Sequence, residues 1–241
     1  MYHRHGLVMA RKFEEKVNYR SYAARTYNRN ITRIIPGYAD LHRGIAEEVR
    51  GLRHAADAIE LGPGTGNTTL CVMRALPEVK IRAIEMLPNM AAAVRNRFRR
   101  SGQLEVLQAD YFDFMRHASS KPQADLVFSA IGVHHLSDRR KKLLFKYAYG
   151  SLRPGGTFVF ADLMDFEDAK KNLKANMDAM RLLLKEASGK KIAAEWLDHW
   201  LNLNMCATVE KQINWLREAG FGEVRHPFER MTTNLLIAKK C

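Results

Sequence analysis

One stretch constrains this chain more than any other: Ala58-Ile59-Glu60-Leu61-Gly62-Pro63-Gly64-Thr65-Gly66-Asn67-Thr68-Thr69. The apolar residues Ala58, Ile59 and Leu61 predict a short buried strand. Three glycines at alternate positions follow, and then Leu70, Cys71, Val72, Met73 and Leu76 at helical spacing. Strand, glycine turn and helix make the opening unit of a doubly wound α/β fold, whose ligands bind at the carboxyl ends of the strands. The spacing is G-x-G-x-G. Asn67 stands where a dinucleotide fingerprint has its third glycine, and no Gly-Lys-Ser/Thr follows, which excludes a P-loop.

The rest of the chain repeats that unit. Residues 13–35 predict a helix with Tyr27, Ile31, Ile34 and Ile35 on one face and Arg25, Arg29 and Arg33 on another; Pro36-Gly37 ends it. Residues 38–53 predict a second helix, with Leu41, Ile45 and Val49 at spacing four. Strands are expected at 56–61, 80–85, 104–110, 124–130 and from Thr157, alternating with helices. The turn Leu152-Arg153-Pro154-Gly155-Gly156 leads into the fifth strand. Residues 165–206 break the alternation with two amphipathic helices, near 166–187 and 191–204. A helix from Val209 to Ala219 and strands at 223–228 and 234–238 complete the chain. The expected fold is α/β: a Rossmann-like, doubly wound, seven-stranded mixed sheet with its last strand antiparallel. N-terminal helices precede it, and a helical lid is inserted before the last helix and terminal strands. The expected organisation is an N-terminal helical segment (1–53), a ligand-binding core (54–164), the lid (165–206) and completion of the sheet (207–241).

Bulk properties narrow the class. The chain has 241 residues, 46% of them hydrophobic and 27% charged, as in a globular protein with a sizeable core. No apolar run reaches membrane-spanning length and no apolar stretch follows the basic start, so neither a span nor a signal peptide is expected. Cys71, Cys206 and Cys241 are far apart and form neither a zinc spacing nor a disulfide framework, which fits a reducing cytoplasm; no metal site is expected. The net charge of +13 attracts anions, RNA among them, without demonstrating nucleic-acid binding. The arginine stripe reads first as a solvated face and second as a contact for an anionic substrate.

Two carboxylates close predicted strands: Glu85, about 20 positions past the glycine turn, and Asp110. An acid at the first position is suited to accept hydrogen bonds from both hydroxyls of a ribose. Glu60 through Gly66, these two acids, the Val133-His134-His135-Leu136 stretch after the fourth strand, the Leu-Arg-Pro-Gly-Gly turn and the terminal hairpin together resemble the class I S-adenosylmethionine (SAM) methyltransferases over residues 38–240. Arg33-Ile34-Ile35-Pro36-Gly37-Tyr38, Phe166-Glu167-Asp168-Ala169-Lys170 and Ala219-Gly220-Phe221 resemble, more narrowly, the carboxy-SAM synthases of tRNA wobble-uridine modification. The resemblance implies that SAM is surrounded by Tyr38, Glu60, Gly62, Pro63, Gly64, Gly66, Glu85, Met86, Asp110, Tyr111 and Ala130. It also implies an arginine in the insertion for carboxy-SAM. The matching position here falls at Leu197, and no arginine stands between Arg181 and Arg217.

Ordinary SAM is therefore the expected cofactor, S-adenosylhomocysteine (SAH) its product, and a small molecule with an O or N nucleophile the expected acceptor. The Asn/Asp-Pro-Pro-Tyr signature of amino methylases is absent. His134 and His135 are the candidate general bases, with capping or packing as the plainer role. Tyr19, Tyr22, Tyr27, Trp196 and Trp200 are the candidate substrate contacts, against core packing for Tyr27 and helix packing for the tryptophans. RNA is a less favoured partner, and a homodimer is compatible. Carboxy-SAM synthesis and a non-catalytic SAM-binding subunit are the alternative functions.

Overall fold

The computed structural model describes residues 24–52 and 54–241. The expected helix before residue 24, with Tyr19 and Tyr22, lies outside the described residues, as do the side chain of Arg25 and the basic start. Among the described residues two helices come first, α1 (Ala24–Ile34) and α2 (Tyr38–Arg50). Pro36 and a left-handed Gly37 separate them. Then β1 (Asp57–Leu61), α3 (Asn67–Ala75), β2 (Lys80–Glu85), α4 (Pro88–Arg97), β3 (Leu104–Gln108), α5 (Tyr111–Ala118), β4 (Ala124–Ala130), α6 (Asp138–Ser151) and β5 (Leu152–Leu163) alternate. Two further helices, α7 (Ala169–Glu186) and α8 (Lys190–Leu203), precede α9 (Val209–Glu218) and the hairpin β6 (Glu223–Arg230) and β7 (Thr233–Lys239).

The seven strands form one sheet in the order β3-β2-β1-β4-β5-β7-β6. Neighbours among β1 to β5 are parallel, and β7 runs antiparallel to both β5 and β6. This is the mixed sheet with an antiparallel last strand that the sequence predicts. Side chains alternate across its faces. Ile59, Leu61, Val127, Phe158 and Phe160 pack with the residues of α5, α6 and α9. Ala58, Leu126, Phe128, Val159 and Ile237 pack with Leu41, Ile45 and Val49 of α2 and Val72 of α3. A third apolar cluster joins α1 to the α7–α8 segment through Ile31, Ile34, Ile35, Leu183 and Trp196.

Leu152–Gly156 differs from the expected turn. The chain is already extended at Leu152, which pairs with Ala124, and the next pairing is Thr157 with Leu126. The surplus residues make a bulge, with Gly155 at φ 77° donating its amide to the Lys240 carbonyl at 2.9 Å. Arg153 holds the bulge in place by reaching Asp57 and Asp125, each at 2.8 Å. Asp125 in turn accepts from the amides of Ala56 and Asp57. The arginine of this motif is thus a clamp on the amino ends of β1 and β4, opposite the edge that carries the glycine turn.

The segment 165–208 leaves and re-enters the sheet at one place. Asp165 donates its amide to the Ala207 carbonyl at 3.1 Å and accepts from the Val209 amide at 2.9 Å. No helix among the described residues is long and apolar enough to cross a membrane.

Candidate active site

The glycine turn sits at the carboxyl end of β1, between the ends of its parallel neighbours β2 and β4. Gly64 has φ 56°, and a Cβ built there would meet no atom of the described residues within 4 Å, so among them the space over this backbone is open. Gly66 has φ 81° and opens α3; a Cβ there would lie 2.6 Å from Phe98 and 2.9 Å from Val94. One glycine therefore makes room for something outside the fold, and the other lets α4 pack against the turn. Arg97 ties down the same turn by donating to the Thr65 carbonyl at 2.8 Å and to Asn67 at 2.7 Å. Asn28 of α1 bonds Thr65 from above.

Glu85 ends β2 with its carboxylate under the turn. One oxygen accepts from the Gly64 amide and the other from the Leu87 amide, both at 2.9 Å. Burial raises its pKa, and these amides oppose the rise. Asp110 caps α5, accepting from the Phe112 amide at 2.7 Å. Its second oxygen lies 3.7 Å from Arg140. Burial raises the Asp110 pKa as well, against the pull of the Phe112 amide and Arg140. The partly buried Tyr111 hydroxyl donates to the Gly132 carbonyl at 3.2 Å. These elements enclose a cavity of about 200 Å³.

At the far wall, Val133–His135 form a single 3₁₀ turn. The His134 amide donates to one oxygen of Asp162 at 2.7 Å, and its Nδ1 lies 2.5 Å from the other. Asp162 comes from β5 and was not singled out by the sequence. His135 faces the cavity. Its pKa is held well below the usual imidazole range, chiefly by burial and then by His134 and His199. It is a neutral ring at neutral pH.

Residues 58–156 match the family described as a methyltransferase domain. The matched stretch runs from β1 into β5 and holds the glycine turn, Glu85, Asp110 and the His134-His135 pair. It is 33% identical over 133 residues to the uncharacterized methyltransferase YrrT of Bacillus subtilis (strain 168), covering 52% of this chain and 59% of that one. It is 27% identical over 241 residues to a carboxy-S-adenosyl-L-methionine synthase of Klebsiella pneumoniae subsp. pneumoniae, covering 95% and 90%. An O-methyltransferase family protein from Burkholderia thailandensis has the same fold, with a TM-score of 0.63 and 19% identity over 84% of this chain and 55% of that one. The chain thus spans little more than half the length of YrrT and of the Burkholderia protein.

The residues present fit SAM. Open space over Gly64 gives backbone access, and the paired acids at the ends of β2 and β3 face one cavity of nucleoside scale. Of the residues expected to surround the cofactor, Gly62, Gly64, Glu85, Met86, Asp110 and Tyr111 line this cavity, together with Tyr27 and His135. Leu87, Met90, Ile131, Gly132 and Arg140 also line it and were not foreseen. Arg140 had no local signal, since it is one of several basic residues opening α6.

Tyr38, Glu60, Pro63, Gly66 and Ala130 lie outside that lining. Glu60 is buried under the turn and accepts from the Thr69 hydroxyl at 2.6 Å, and burial pushes its pKa up to about 8. It supports α3. The Tyr38 hydroxyl accepts from Asn67 at 3.0 Å. Trp196 and Trp200 line a second, smaller cavity with Tyr27, His134 and His135. Trp196 also packs in the apolar cluster of α1 and α7, and its ring centroid is 6.1 Å from that of Tyr27.

Proposed function

We propose that this chain transfers a methyl group from SAM to an O or N nucleophile of a small molecule. The observation that supports it is a single cavity with the glycine turn, Glu85 and Asp110 on one side and the neutral His135 on the other. SAM, when bound, supplies a methyl group on a sulfonium that is already a good leaving group. The protein then has to hold, align and dry the reactants. Glu85 and Asp110 hold the ribose and adenine. Ile131, Leu136 and Tyr27 give the remaining wall its apolar character and exclude water. His135, neutral in this burial, takes a proton from the acceptor as the new bond forms. Residues 165–206 act as the lid that selects the acceptor, with Trp196 and Trp200 backing the wall that His135 presents to the larger cavity.

Carboxy-SAM synthesis is the second reading, favoured by a synthase relative aligned along 95% of the chain. It asks for a cation beside an extra buried carboxylate. The insertion offers no arginine in that part of the chain, and Leu197 and Trp200 pack beside the buried Trp196. A flexible lysine lacks the planar fork that would replace it. Mass spectrometry of the ligand that co-purifies with the protein separates the readings. SAM or SAH is expected; stoichiometric carboxy-SAM, or its formation from SAM and prephenate, would establish the synthase instead.

A further inference from the structure

His134 and His135 have a third companion. His199 of α8 joins them, and one ring nitrogen of each lies within 4.8 Å of the others. The rings touch: centroids are 3.9 Å apart for His134 and His135, and 5.0 Å apart for His135 and His199 with planes at 83°. His134 and His199 are buried, and His135 is partly so.

The hydrogen bonds set the tautomers of the first two. A carboxylate accepts, so Nδ1 of His134 donates to Asp162, and its Nε2 carries the lone pair. Nδ1 of His135 faces the Leu203 carbonyl at 3.4 Å, which also only accepts, so that nitrogen carries the proton. An imidazole whose Nδ1–H is anchored on an oxygen presents its lone pair at Nε2, the form that ligates a metal.

Space and charge agree. The second cavity, lined by all three histidines, holds about 20 Å³, room for one ion or water and not for an organic acceptor. Asp162 brings a buried carboxylate to its edge, where a dication would offset its desolvation. The buried Lys141 ammonium is held by the carbonyls of Leu136 and Met205. Three imidazoles packed as a neutral aromatic cluster is the plainer account; Asp162 goes further and fixes both the backbone and the ring of His134, accepting from its amide at 2.7 Å and from its Nδ1 at 2.5 Å.

We propose that His134, His135 and His199 bind one divalent first-row transition-metal ion of the zinc class, through Nε2 of the first two and a ring nitrogen of the third. Imidazole ligands suit such ions, and a three-histidine set leaves a position open. His135 lines both cavities, so the ion borders the larger one. There it would acidify an O–H or N–H of the acceptor in place of an imidazole base. That consequence rests on the methyl-transfer reading; the ion site does not.

Protein stripped with a chelator and titrated with Co²⁺ alone tests the site. The expected result is one equivalent of ligand-field absorption, displaced by Zn²⁺. His199→Ala should abolish the band, and Asp162→Asn should weaken Co²⁺ binding by about 10- to 100-fold. Each variant is first shown to bind SAH, so that a misfolded chain is not counted. If the variants fail that check, the wild-type titration decides alone. No band in wild-type protein that binds SAH overturns the proposal, as does a band unchanged in His199→Ala. A one-equivalent band in protein that binds no SAH upholds the ion site and removes the methyl-transfer reading.

Discussion

The Gly64 amide donates to the Glu85 carboxylate at 2.9 Å, joining the turn after β1 to the end of β2. Two features separated in the chain are therefore one device. The open backbone and the acid that faces the cavity are held in register by their own hydrogen bond, before any ligand arrives.

Glu85→Ala should weaken SAH binding by about 2–3 kcal/mol, roughly 30- to 150-fold, the scale of a charged hydrogen-bond pair. Titration calorimetry on a variant with a native circular dichroism spectrum measures it. An unchanged affinity would remove Glu85 from the cofactor site.

Gly64→Ala and Gly66→Ala should separate binding from stability. Both place a Cβ at positive φ, at about 1–2 kcal/mol. At Gly64 the methyl enters open space, so SAH affinity falls with little further loss of stability. At Gly66 it overlaps Phe98 and Val94, adding about 1–3 kcal/mol of overpacking. Urea unfolding beside calorimetry distinguishes them; equal stability losses in the two variants would contradict the assignment.

Glu60 should make the chain lose stability as pH rises. Its folded pKa is near 8, above the ordinary carboxyl value, so between about 4.5 and 8 the unfolded chain has released a proton that the folded chain keeps. Bound protons are fewer in the unfolded state, and stability falls with pH through that window. Glu60→Gln keeps a neutral acceptor for Thr69 and removes the titration. Its stability relative to wild type should grow from pH 4.5 to pH 8 in denaturant melts. A difference independent of pH would show that Glu60 is ionised in the fold.

Arg29 and Arg33 are exposed, and Arg33 meets Glu186 at 3.4 Å in a surface pair worth at most about 1 kcal/mol. Replacing them with alanine should leave the melting temperature nearly unchanged. If RNA is the substrate, the replacement flattens the salt dependence of RNA binding by about one unit for each phosphate no longer neutralised. Wild-type binding that vanishes at physiological salt would leave the stripe as a solvated face.

What could be read in advance follows from range. Lys80–Glu85 was legible as a strand because its apolar residues sit between a proline-containing turn and a helix that opens with Pro88, all local signals. Glu85 and Asp110 were legible because strand ends in a parallel sheet converge by topology. The bulge at Leu152–Gly156 was not, since Pro-Gly-Gly also signals a turn and Arg153 finds its partners on two distant strands. Glu60 looked like part of the ligand site because it adjoins the glycines. Strand alternation carries its side chain to Thr69 instead. His199 carried no local mark, since its approach to His135 depends on how α8 folds back over the sheet edge.

The closed base of segment 165–208 has an evolutionary reading. Its ends meet through the Asp165 hydrogen bonds to Ala207 and Val209, while β5 and β7 pair without help from its helices. Such a segment is a cassette: a different pair of helices could be grafted between the same two anchor points without disturbing strand order. Its last turn is the constrained part, because Leu203 packs against Leu87 and Met90 of the cavity wall and any replacement has to restore that contact.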